Sequence, residues 1–138
     1  MAGRASTFDH DADVGVRGEG GTLGDAFCAA ARAMFSIMVD LEGVRGTEAV
    51  PIECSAPDSE LLLVTWLNAL LAEADLRGMV FEDFDASIAE GRLRGKAWGE
   101  RLDPARHVRG VEVKGATLTE ARVVRAASGY LAQTVVDV

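Results

Sequence analysis

The hydrophobic repeat changes period at Met79, and this change limits the folds open to the chain more than any other feature. Before it, two segments carry apolar residues at helical spacing; after it, apolar and polar residues alternate, so their side chains fall on opposite faces of extended strands. The first helical segment runs from Leu23 to about Met38, with Leu23, Ala26, Phe27, Ala30, Met34, Ile37 and Met38 on its apolar stripe. Thr22 is a good N-cap for it, and Asp25 lies in the first turn, where the helix dipole favours an acid. Asp58 caps a second helix to about Ala74, ended by Arg77-Gly78. That helix is apolar on more than one face, so it is either central to the core or lends its extra face to a partner.

Strands are expected at Val14 to Arg17, Ala49 to Ser55, Met79 to Phe84, Ala86 to Ile88, Arg92 to Trp98, Val111 to Leu118, Ala121 to Ala127 and Tyr130 to Val138. Pro51 suits an edge or a bulge, while Glu90-Gly91 and Ser128-Gly129 signal hairpins. Strand, helix, strand, helix and then a run of strands imply an α+β two-layer sandwich, with two helices packed on one face of a mostly antiparallel sheet. At this length, residues 1–138 form a single domain that buries roughly two-thirds of its unfolded surface.

Chemistry concentrates in Phe8-Asp9-His10-Asp11-Ala12-Asp13-Val14-Gly15-Val16. Asp9, Asp11 and Asp13 are spaced two apart, so an extended backbone would place all three on one face, where a cation or water relieves their repulsion. An EF-hand loop beginning at Asp9 would need Gly sixth and a bidentate acid twelfth, and those positions hold Val14 and Gly20. Two readings of the residues remain: a weak metal site, or a solvated acidic loop leading into a strand.

A net charge of −8 opposes direct binding to a phosphate backbone, because that affinity comes mainly from Lys and Arg. Cys28 and Cys54 show no paired-ligand spacing and read as free buried thiols. Met1 to Thr7 has no apolar leader, and the best apolar run, Leu61 to Leu71, is too short to span a bilayer. A soluble cytoplasmic protein is the expectation.

The chain has no Walker-type phosphate loop, no Gly-x-Ser-x-Gly elbow and no His-Glu-x-x-His or paired-Cys zinc motif. Its two histidines, His10 and His107, supply little acid–base chemistry. His10 can orient a carboxylate or make a structural hydrogen bond, and His107 reads as an exposed or turn-capping residue. Glu112 and Lys114 alternate on one face of an expected strand as a solvated ion pair. Asp137 and the carboxylate of Val138 converge at the chain's end. If that strand lay beside Asp13, three carboxylates would meet and suit a hard divalent cation, Mg²⁺ or Ca²⁺.

The opening stretch resembles the signature of the archease family, and further segments match in order: Trp66-Leu67-Asn68 with Leu70-Leu71, Gly99-Glu100, Asp103-Pro104, Arg106-His107, Gly110, Glu112-Val113-Lys114 and Asp137-Val138. The resemblance implies a strand-helix-strand-strand core with additional strands. It also implies that Asp13, Asp137 and Val138 form a metal site, with His10, Asp11, Glu112 and Lys114 as supporting or partner-contacting residues. By the same resemblance, the chain would be a non-catalytic cofactor of an RtcB-type RNA ligase in tRNA splicing or RNA repair. As such it would promote guanylylation and turnover of the ligase. The sequence departs from the family pattern at Asp11, usually Thr, and at Leu118 and Thr119, usually Tyr and His. A stand-alone metal-dependent hydrolase and a purely structural interaction module are the alternatives.

Overall fold

The computed structural model describes residues 3–138, so Met1 and Ala2 of the expected 1–138 domain lie outside the described residues. Helix α1 spans Leu23–Met38, and the Thr22 hydroxyl accepts the Asp25 N–H at 3.0 Å, satisfying one of the free donors of its first turn. Helix α2 spans Ser59–Arg77; Asp58 caps it through the Leu61 N–H, and Gly78 closes it at φ 63°, a left-handed conformation that suits glycine.

The strands are β1 (Arg4–His10), β2 (Asp13–Gly20), β3 (Glu48–Ser55), β4 (Met79–Ala89), β5 (Arg92–Arg101), β6 (Gly115–Ala116), β7 (Arg122–Ala126) and β8 (Gly129–Asp137). They are antiparallel throughout and divide between two sheets. One has the order β1-β2-β8-β6, with β7 also pairing β8; the other has the order β3-β5-β4. The α+β class and the two packed helices agree with the sequence, while the single sheet becomes two. The pieces expected at Met79 to Phe84 and Ala86 to Ile88 are one strand, β4, with an irregularity between Phe81 and Asp83.

Close backbone approach explains how α1 fits against both sheets. A side chain at Gly18 of β2 would come within 2.1 Å of the Ala26 carbonyl oxygen on α1, and one at Gly24 of α1 within 2.0 Å of Ala86 O on β4. The small residues of α1 let β2 and β4 lie directly against it. Helix α2 completes the core with Leu62, Leu63, Trp66, Leu67 and Leu70, all at most 1 % exposed. Its broad apolar surface therefore serves the core, each such side chain adding about 1.5–3 kcal/mol on burial. Phe35, Trp66, Phe81 and Phe84 form an aromatic cluster with tilted and edge-on contacts, and the Trp66 indole N–H donates to Phe27 O.

Strand β1 was not evident in the sequence. Its residues are polar and mostly exposed, and it is held as an edge strand by a continuous register with β2, from Arg4 opposite Glu19 to His10 opposite Asp13.

Candidate metal centre

The acidic stretch is a hairpin turn. Strands β1 and β2 are joined by Asp11 and Ala12, with Asp11 at φ 51°. Chain reversal overturns the expectation that Asp9, Asp11 and Asp13 share a face. Asp9 pairs with Val14, which packs on the core, whereas Asp13 pairs with His10 on the opposite face. Asp9 and Asp13 thus lie on opposite sides of the sheet, and Asp11 projects from the turn. The His10 Nδ1 lies 3.9 Å from an Asp11 carboxylate oxygen.

The same register brings the distant acids together. Val14 lies opposite Val136, so antiparallel pairing carried one residue further sets Asp13 across from Asp137. The Val138 N–H reaches Asp13 Oδ1 at 3.4 Å, a long contact between residues 125 positions apart. Asp13 and Val138 are half-buried and Asp137 is exposed. All the oxygens offered are hard donors: two carboxylates and the main-chain oxygen of Val138. Among the described residues, no three His, Cys, Asp or Glu side chains gather closely enough to hold a metal by themselves. The donor set therefore suits Mg²⁺ or Ca²⁺ held by a few protein oxygens, with water or a phosphate completing the shell, and does not suit zinc.

Phe8 and Gly15 have a physical reason to occur together beside this site. The Phe8 ring occupies the space where a Gly15 side chain would begin, and the Arg17 guanidinium lies 4.8 Å from the centre of that ring. Arg17 Nε then donates to Gln133 on β8, bracing β1, β2 and β8 on the face that carries Asp13.

Lys114 lies next to the site through its main chain, the N–H donating to Asp137 O at 2.8 Å. The expected strand from Val111 to Leu118 shrinks to Gly115–Ala116, because its ladder with β8 stops at Asp137. Glu112 and Lys114 accordingly lie outside any strand, and among the described residues neither makes an ion pair. Leu118 is exposed, and the Thr119 carbonyl accepts from the Val135 N–H.

Sequence reasoning gave no role to Glu100 or Asn68, which hold the surroundings in place. Glu100 accepts from the Arg45 N–H at 2.7 Å, Arg106 at 2.5 Å and His107 Nε2 at 2.9 Å. Hydrogen bonding from Arg106 first, then Arg45 and His107, lowers the Glu100 carboxyl to about 2. His107 is buried, and its Nδ1 accepts the Asp103 N–H at 2.9 Å, so the ring proton sits on Nε2, facing Glu100. The turn-capping reading of His107 holds; the exposed one does not. Asn68 uses both ends of its amide on Ala116, donating to the carbonyl and accepting from the N–H. A polar residue within the most apolar helix was the one available hint.

Both cysteines are free, and burial pushes the Cys28 thiol up to about 12, leaving it inert. Among the described residues, no helix is long and apolar enough to cross a membrane.

This is an α+β protein whose β2–β8 register brings the end of β8 to Asp13, where the Val138 N–H meets its carboxylate. Comparison with known proteins agrees with the fold class. The Archease protein family matches residues 6–138. Protein archease of Pyrococcus furiosus is 39% identical over 136 residues, covering 95% of this chain and 96% of its own, and that of Sulfurisphaera tokodaii is 38% identical over 133 residues with the same coverage. The solution structure of Methanobacterium thermoautotrophicum protein 1598 superposes with a TM-score of 0.85 at 31% identity, covering 97% of this chain and 98% of that one. A Thermotoga maritima archease, described as a possible chaperone, shares the fold with a TM-score of 0.63 at 15% identity, covering 96% of each chain. The chain belongs to the archease family.

Proposed function

We propose that this protein is a metal-binding activator of an RtcB-type RNA ligase, with no catalytic activity of its own, acting in tRNA splicing or RNA repair. The observation that carries the reading is the register of β2 with β8, Val14 opposite Val136, which brings the end of β8 to Asp13, with the Val138 N–H 3.4 Å from Asp13 Oδ1. Family membership supports a protein partner, and the net charge of −8 speaks against RNA as the direct ligand. A bound divalent cation, Mg²⁺ or Ca²⁺, would supply charge stabilisation for phosphoryl transfer at the ligase.

The chain's own residues have distinct parts in this reading. Asp13 and Asp137 would hold the cation through their carboxylate oxygens, and the cation would supply positive charge for a phosphate of the partner. His10, opposite Asp13, and Asp11, projecting from the turn, form the leading edge of the hairpin that would approach the ligase. Lys114 is held beside Asp137 by its main chain, which leaves the ammonium free to meet an anionic group of the partner.

The test is guanylylation and multiple-turnover RNA joining by the cognate ligase with GTP, with and without this protein. Stimulation should be lost with Asp13→Asn, which keeps the side-chain shape and removes the charge. Equal stimulation by that variant and the parent would refute the proposed role of the acid. Turnover of phosphoesters by the protein alone would favour the stand-alone hydrolase.

A further inference from the structure

A groove of about 980 Å³ lies between α2 and residues 109–114, and the main chain of Lys114 in its wall is bonded to Asp137. Asn68, Leu71, Ala72 and Asp75 form one wall at helical spacing, and Met79, Val80 and Leu102 contribute apolar surface. The facing wall, Val111-Glu112-Val113-Lys114, has the alternation of a strand and no strand partner. Its flanks are fixed: the N–H groups of Gly110 and Val111 donate to Met38 O and Ile37 O, and that of Lys114 to Asp137 O. Between them, Glu112 and Val113 donate no main-chain hydrogen bond among the described residues. Backbone donors left open beside a groove are costly unless something pairs with them.

The position of Asn68 shows what kind of group fits there. On the side of β6 that faces α2, its amide bonds both main-chain groups of Ala116, as the backbone of an adjoining strand would. Three and four residues earlier along the same wall, at Val113 and Glu112, no α2 side chain among the described residues takes that place. Charge favours one class of occupant. Arg109 and Lys114 stand on this wall beside Glu112, with Asp75 on the α2 wall, and none of the four makes an ion pair among the described residues, so the two cations are available to acidic side chains of an occupant that runs along this wall. Val111 is 54 % exposed at the rim, which gives an apolar side chain something to cover.

We infer that the groove receives an extended segment of the partner protein, which adds a strand along Glu112 and Val113, apolar at alternate residues and acidic near Arg109 and Lys114. The inference rests on the ligase-activator reading, since the groove would then dock the ligase while Asp13 and Asp137 serve its chemistry. Main-chain pairing supplies affinity in such strand addition, and alternate side chains supply selectivity.

Hydrogen–deuterium exchange of this protein, alone and with the cognate ligase, tests the inference. The Glu112 and Val113 amides point to opposite edges of an extended chain, so one of the two, the one that faces the groove, should exchange rapidly in the free protein and at least about tenfold more slowly in the complex. Arg109→Glu should weaken ligase binding by about tenfold while leaving calorimetric Mg²⁺ binding unchanged. Asp13→Asn should retain the protection although it loses stimulation. Stimulation without protection of these amides would overturn the groove and leave the activator reading standing. Failure to bind or stimulate the ligase would overturn both, and protection that rises with protein concentration alone, together with dimers in ultracentrifugation, would assign the groove to a second copy of the chain.

Discussion

Glu100 and Asp13 are both carboxylates held against the chain by backbone N–H groups, but they are treated very differently. Glu100 is gripped by Arg106, His107 and the Arg45 N–H at 2.5–2.9 Å, whereas among the described residues Asp13 has one hydrogen bond, 3.4 Å long, from the Val138 N–H. A charge with all its partners supplied stabilises a fold, while charges set together without partners keep their capacity for something that arrives later. Glu100 orders the excursion from Leu102 to Gly110; Asp13 and Asp137 are the places to look for a ligand.

The largest expected effect comes from breaking the satisfied cluster. His107→Ala would strand both the Asp103 N–H and one Glu100 oxygen, and should cost about 3 kcal/mol in chemical denaturation. The unsatisfied cluster should respond in the other direction to an added cation. At a hundredfold excess over its dissociation constant, Mg²⁺ or Ca²⁺ should raise stability by about 2.7 kcal/mol, and the rise should vanish in Asp13→Asn. Unchanged melting of the parent across a calcium and magnesium titration would leave the acids merely hydrated.

Acid titration sharpens the contrast. The Glu100 carboxyl is lowered from 4.5 to about 2, so the folded state favours its anion, and the stabilisation is fully present above the ordinary value. It is lost as pH falls from 4.5 towards 2. The melting difference between the parent and Glu100→Gln should therefore be greatest near neutrality and close over that interval. Smallest of all, Asp13→Asn without metal should shift stability by no more than about 0.5 kcal/mol, with relief from Asp137 offsetting the loss of the Val138 contact. A loss comparable to that of His107→Ala would mean that the two clusters are alike after all.

The two helices were legible because their apolar spacing and caps, Thr22 and Asp58, are written within a few residues. Strand β1 was not, because Ser6, Asp9 and His10 are polar and the segment is a strand only through its pairing with β2. Asp13 could be suspected from the acidity around it, yet local sequence cannot express which strand lies beside β2. The meeting of Asp13 with Asp137 depends on that register, and pairing of the two rested on the family resemblance alone. Glu100 was hidden for a similar reason: its partners come from two loops, Arg45 from one and Arg106 with His107 from another.

The placement of β8 has a kinetic consequence. Synthesised after every other strand of its sheet, it lies between β2 on one side and β6 and β7 on the other. Hairpins β1-β2 and β4-β5 can form early from neighbouring residues, but the larger sheet stays divided until the 129–137 segment inserts. Closing loops of that length before the reward of pairing makes the step slow. During synthesis, the nascent chain can display its acidic turn without displaying Asp137. Asp13 and the end of β8 therefore come together only on completion of the native sheet.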